Sequence, residues 1–151
     1  MQHITVLMVD DHPVFREGIC AVLSLAPDIK LIGEAPSAAE GVALYRIHRP
    51  HVVLMDIKLP DASGIDATAQ ICREFPDAKV IMLTTYKGDV QALNALKAGA
   101  SGFLLKNTLR RELIESIRMV HRGQQRILEE VALELAMHAA DDSLSAREMD
   151  V

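Results

Sequence analysis

The chain has 151 residues, half of them apolar, which suffices for one domain with a well-buried core and a short appendage. Sixteen Lys and Arg against twenty-one Asp and Glu give a net charge of −5, so the chain as a whole offers no electrostatic case for binding nucleic acid or an anionic membrane. There is no Trp and little other aromatic residue for base stacking, no secretory pattern, and no apolar span long enough to cross a bilayer; Cys20 and Cys72 fall in apolar helical patterns, so a reducing cytoplasm is the expected compartment.

Ile4 to Val9 is an apolar run closed by Asp10 and Asp11, the pattern of a buried strand ending in acid. After His12, Pro13 stands where a helix can open without losing a hydrogen bond, and Phe15, Ile19, Val22 and Leu23 recur at helical spacing between Val14 and Leu25. Lys30 to Ala35 is a shorter, more polar strand suited to a sheet edge. Ser37 and Glu40 form a capping box that opens a helix running to about Arg49, where Pro50 ends it. Val52 to Met55 is wholly apolar and closes on Asp56, followed by the turn residues Pro60, Asp61, Ser63 and Gly64 and a helix from Gly64 to about Phe75. Lys79 to Thr84 is a fourth strand, ending in hydroxyls. An Ala-rich helix from Val90 to Ala98 is closed by Gly99, and a fifth strand from Ser101 to Leu105 ends at Lys106. Thr108 caps a last helix with a stripe of Leu109, Leu113, Ile117 and Val120, and Gly123 lies just beyond it. Such alternation with short connections predicts an α/β domain with a doubly wound, five-stranded parallel sheet, for which 2-1-3-4-5 is the usual strand order.

In that order the ends of the first, third, fourth and fifth strands are neighbours, which brings Asp10, Asp11, Asp56, Thr84 and Lys106 into one cleft. Three carboxylates packed together repel, and burying them without compensation costs several kcal/mol. Lys106 supplies one positive charge and a divalent cation the remainder; a hard ion satisfied by a few carboxylates, a carbonyl and waters is Mg²⁺. A carboxylate beside Mg²⁺, a hydroxyl and an ammonium suits phosphoryl acceptance, with Asp56 as nucleophile and Thr84 and Lys106 on the other phosphoryl oxygens.

These residues resemble the receiver domain of bacterial two-component response regulators. The resemblance rests on Asp10-Asp11, on Met55-Asp56 with Pro60 and Gly64 after it, on Leu83-Thr84, and on Lys106 after Gly102-Phe103-Leu104-Leu105. It spans roughly residues 3 to 122 and implies a flavodoxin-like receiver fold. By resemblance Asp56 is phosphorylated by a sensor histidine kinase, Asp10, Asp11, Asp56 and the Lys58 carbonyl hold Mg²⁺, and Thr84 and Phe103 form a switch pair. Lys58 and Tyr86 stand at positions that tune phosphoryl lifetime in such domains, and Asn107 replaces the cis-proline many of them carry after the lysine. The stretch Val6 to Gly18 is similar to the opening of regulators with a LuxR-type helix-turn-helix domain (NarL/FixJ-like), and Leu144 to Val151 is similar to the first turns of that domain. The implied organisation is a receiver at 1–122, a linker helix at 123–142 with Leu128, Val131, Ala132 and Leu135 on one face, and the truncated start of a DNA-binding domain at 143–151. Any DNA contact would come only through that missing domain. Phosphorylation is expected to favour a homodimer, helices one and five exposing Leu and Ile.

Two other functions stay open on the sequence. One is a receiver-like interaction module that never takes phosphate; the other is an aspartyl-phosphate phosphatase, disfavoured because such hydrolases carry a second acid where this chain has Lys58. Taken singly, a strand-end Thr is more often a surface hydroxyl, Lys106 a solvated charge and Phe103 a core ring. His12, His48 and His51 show no metal-ligand spacing and read as exposed. Cys20 and Cys72 read as small core residues, and Arg110 and Arg111 as a solvated face.

Overall fold

The computed structural model describes residues 3–84, 89–106 and 109–127. Strands and helices alternate as β1 (Ile4–Val9), α1 (Pro13–Leu23), β2 (Ile29–Ala35), α2 (Ala38–His48), β3 (Val52–Asp56), α3 (Gly64–Glu74), β4 (Val80–Thr84), α4 (Asp89–Ala98), β5 (Gly102–Leu105) and α5 (Leu109–His121). The first five strands are parallel in the order β2-β1-β3-β4-β5, as the alternation predicts. A sixth, β6 (Arg126–Ile127), extends the sheet by pairing parallel to β5 at Gly102 and Phe103. This corrects the expectation of a linker helix from residue 123, because the backbone of Arg126 and Ile127 is drawn to the open edge of β5. The remainder of that helix, with Leu128, Val131, Ala132 and Leu135, lies outside the described residues, as do 143–151, Tyr86, Asn107 and Thr108.

The sheet is apolar on both faces because both are covered. Leu7, Val9, Val53, Met55, Val80, Met82 and Phe103 pack under α2, α3 and α4. Val6, Met8, Leu54, Ile81, Leu83 and Leu104 alternate with them and pack under α1 and α5. The stripe Leu113, Ile117 and Val120 of α5 is spent on this second cluster, so among the described residues α5 does not show the exposed apolar face expected of it; the exposed large apolar residues among those described are Val14 at the start of α1, Leu25 just past its end, and Ile47. Cys20 and Cys72 are half-buried free thiols rather than fully core.

Helix termini follow the residues read from the chain. Pro13 opens α1, and the Ser37 hydroxyl accepts from the Glu40 N–H to open α2. A second cap on α2 comes from across the molecule: the Asp61 carboxylate, in the loop after β3, accepts from the N–H groups of Ala38 at 2.8 Å and Ala39 at 3.0 Å. Those two bonds hold the Asp61 carboxyl below the ordinary aspartate range, that from Ala39 most.

Candidate functional site

Register sets the site. Val9 lies opposite Met55, so Asp10 and Asp56 follow side by side at the carboxyl ends of β1 and β3. Asp56 lies opposite Leu83 and Thr84 opposite Leu105, which puts Thr84 and Lys106 at the ends of the next two strands. In an open parallel sheet this rim is where ligands bind.

Lys106 joins the first and third strands. Its Nζ lies 2.9 Å from Asp10 Oδ2 and 3.1 Å from Asp56 Oδ2, with its side chain only 11% exposed and those of Asp10 and Asp56 0% and 5% exposed. On its other side the ammonium stands 4.2 Å from the centroid of the Phe15 ring, a cation–π contact that fixes the long side chain further. Burial pushes the Asp56 carboxyl above the ordinary aspartate range; Lys106 opposes that shift, and the neighbouring Asp10 adds to it. Asp56 Oδ1 has a different environment from Oδ2, receiving a long contact of 3.4 Å from the Lys58 N–H.

Asp11 is the more open acid, yet its Oδ1 is buried and has no hydrogen-bond partner. One oxygen each from Asp10, Asp11 and Asp56 falls within a cluster 4.8 Å across, together with a nitrogen of His12. A buried carboxylate oxygen without a donor, among other hard oxygens, is what a divalent cation satisfies, so the residues present fit the Mg²⁺ expected from the sequence.

The turn that carries Asp56 into this rim depends on Gly64. A Cβ there would lie 1.9 Å from the Asp56 carbonyl oxygen, so only a residue without a side chain lets the loop close, and the Gly64 N–H uses the space to donate to the Ile57 carbonyl at 2.7 Å. Thr84 is buried at its strand end. Phe103 is buried in the cluster under α2 to α4, and Tyr86 lies outside the described residues. The sequence reading missed two contributors. His12, read there as merely exposed, turns its ring toward the acids; Asp61, read as a turn residue, ties the loop carrying Lys58 to α2. The signal for His12 was its place directly after two acids and before a proline; nothing local signals the reach of Asp61.

A doubly wound parallel domain with an acidic, lysine-bridged pocket at its strand ends defines a phosphoacceptor-type α/β class. The response regulator receiver domain family matches residues 6–118, and the chain belongs to that family. Transcriptional regulatory protein LiaR of Bacillus subtilis (strain 168) is 38% identical over 156 residues, covering 98% of this chain and 74% of LiaR. Response regulator GacA of Pseudomonas protegens is 36% identical over 155 residues, covering 98% and 73%. The crystal structure of a LuxR-family two-component response regulator from Aurantimonas sp. SI85-9A1 superposes with a TM-score of 0.86 at 33% identity, over 92% of this chain and 99% of that one. The domain is a phosphorylation-controlled switch of two-component signalling, of the LuxR-type group.

Proposed function

We propose that Asp56 accepts a phosphoryl group from a phosphohistidine of a sensor histidine kinase, and that this changes the state of a LuxR-type transcription regulator. The observation that carries the reading is the Lys106 ammonium held between the buried carboxylates of Asp10 and Asp56. Because Oδ2 of Asp56 is engaged by Lys106, Oδ1 is the attacking oxygen. A P–O bond forms to Oδ1 as the P–N bond to the kinase imidazole breaks, and the imidazole leaves with the electron pair. Burial leaves the carboxylate poorly hydrated, which favours attack so long as it is ionised. Lys106 then turns from carboxylate to phosphoryl oxygen, and the Thr84 hydroxyl takes another. Asp10, Asp11, Asp56 and the Lys58 carbonyl would hold Mg²⁺, which when bound would supply the remaining positive charge.

Thr84 and Phe103 are the proposed relay to the output surface, with Lys58 and Tyr86 tuning how long the phosphoryl group stays. The proposed organisation is a receiver at 1–122, a linker at 123–142 and the start of a LuxR-type DNA-binding domain at 143–151. The exposed Val14 and Leu25 of the α1 region favour α1 as part of a dimer face on phosphorylation. The test is incubation with Mg²⁺ and acetyl phosphate: wild type gains the mass of one phosphoryl group and Asp56→Ala does not. No gain in wild type, or an unchanged gain in the variant, overturns the reading; equal light-scattering mass with and without fluoroberyllate overturns the dimer.

A further inference from the structure

Beside the three acids stands a group to which the receiver reading gives no role. His12 is the residue preceding α1, yet its ring makes no capping bond to that helix, and the backbone at φ −100° and ψ 104° is the extended form that a following proline enforces. Its N–H donates to Asp10 Oδ1 at 2.6 Å, closing a turn that aims the imidazole into the pocket. The ring Nδ1 lies 3.1 Å from Asp10 Oδ1, 3.1 Å from Asp11 Oδ1 and 3.8 Å from Asp56 Oδ2, with the side chain 61% exposed. A hydrogen-bonding account covers only part of this. One imidazole nitrogen carries at most one hydrogen, and Asp11 Oδ1 has no hydrogen-bond partner even with Nδ1 3.1 Å away.

Coordination accounts for both contacts. Two ligand atoms bound at about 2.1 Å at right angles around one ion are separated by about 3.0 Å, close to the spacing of Nδ1 from each aspartate oxygen. We propose that His12 is a nitrogen ligand of the divalent ion held by Asp10 and Asp11, so that this pocket binds imidazole-preferring transition ions of the Co²⁺, Ni²⁺ and Zn²⁺ kind in addition to Mg²⁺. Mg²⁺ prefers oxygen and keeps its waters, whereas the later ions gain from an imidazole. The exposure of His12 leaves the ring free to swing aside for the first and close on the second. This inference rests on the reading of the acids as metal ligands.

The experiment is calorimetric titration of the 151-residue protein and of His12→Gln and Asp11→Asn with Mg²⁺, Co²⁺ and Zn²⁺, alongside long-range ¹H–¹⁵N spectra of the histidine rings with and without Zn²⁺. The expected result is that His12→Gln weakens Zn²⁺ and Co²⁺ by about tenfold or more and leaves Mg²⁺ within about twofold. Zn²⁺ also moves the Nδ1 resonance of His12, in a spectrum that separates it from the His51 and His121 rings, which lie tilted against each other with centroids 4.9 Å apart at the other end of the sheet. An Nδ1 resonance unmoved at saturating Zn²⁺, or equal weakening of all three ions by His12→Gln, overturns the proposal. Mg²⁺ binding that survives Asp11→Asn undiminished instead overturns the acidic pocket itself.

Discussion

Lys106→Met is the most informative single change, because it keeps the length and apolar stem of the side chain and removes only the ammonium. Both partners of that ammonium are buried, Asp10 completely, at 2.9 Å and 3.1 Å. Breaking a buried pair by removing one partner costs about 3–5 kcal/mol, mostly the penalty of the charge left behind. Here the pocket opens to water on the side of Asp11 and His12, so the loss is expected at the low end, about 3 kcal/mol. The assay is urea unfolding at pH 7 in EDTA. Asp56→Asn should act in the opposite sense and stabilise the protein, because burial holds the Asp56 carboxyl above its unfolded value. A raised carboxyl means that the native state binds more protons than the unfolded one between the two pKa values, so stability falls as pH rises through that window. The advantage of Asp56→Asn is therefore full above the folded pKa of Asp56 and fades as pH falls below it. In the double variant the Lys106→Met loss should shrink by about 1 kcal/mol or more, a coupling of the size contacting residues show. A loss below about 1 kcal/mol for Lys106→Met, or the same loss with and without Asp56, would refute the idea that this ammonium neutralises the pocket.

Gly64→Ala should destabilise by about 3 kcal/mol or more and abolish phosphoryl uptake, since its Cβ meets backbone rather than a movable side chain; near-wild-type urea unfolding would show that the turn can give. Mg²⁺ at a hundredfold over its dissociation constant should raise wild-type stability by about 2.7 kcal/mol, and EDTA or Asp11→Asn should remove that gain in the same unfolding assay. Phe15→Leu should slow phosphorylation by acetyl phosphate by loosening Lys106, whereas Phe15→Tyr should restore it; equal rates in the two variants would leave the cation–π contact without a role. Asp61→Asn should flatten the acid limb of the stability curve, because a carboxyl held low in the native state stabilises above its unfolded pKa and loses that contribution as pH falls through the folded one; an unchanged acid limb counts against the cap.

The sheet could be read from the chain because strands buried on both faces must be apolar throughout, and the residue that ends each run then stands out. Asp10, Asp56, Thr84 and Lys106 are polar residues closing apolar runs, and the parallel order does the remaining work of bringing them together. Where a feature depends on one side chain reaching across the fold, sequence gave less warning. Asp61 caps a helix that starts before β3, and no local pattern distinguishes it from any other turn acid. His12 has no metal-ligand spacing with other histidines or with cysteines to mark it, because its neighbours in the pocket are the two acids directly before it. The β6 pairing was missed because two residues at a sheet edge carry no period; the edge of β5 selects them.

The central claim, that one carboxylate takes the phosphoryl group, is tested most directly by reducing the acetyl-phosphate-treated protein with borohydride and sequencing its peptides by mass. An acyl phosphate is reduced to an alcohol, so the account predicts homoserine at position 56 and nowhere else. Homoserine at position 10 or 11, or an unmodified Asp56 in protein that has taken up phosphate, would contradict it.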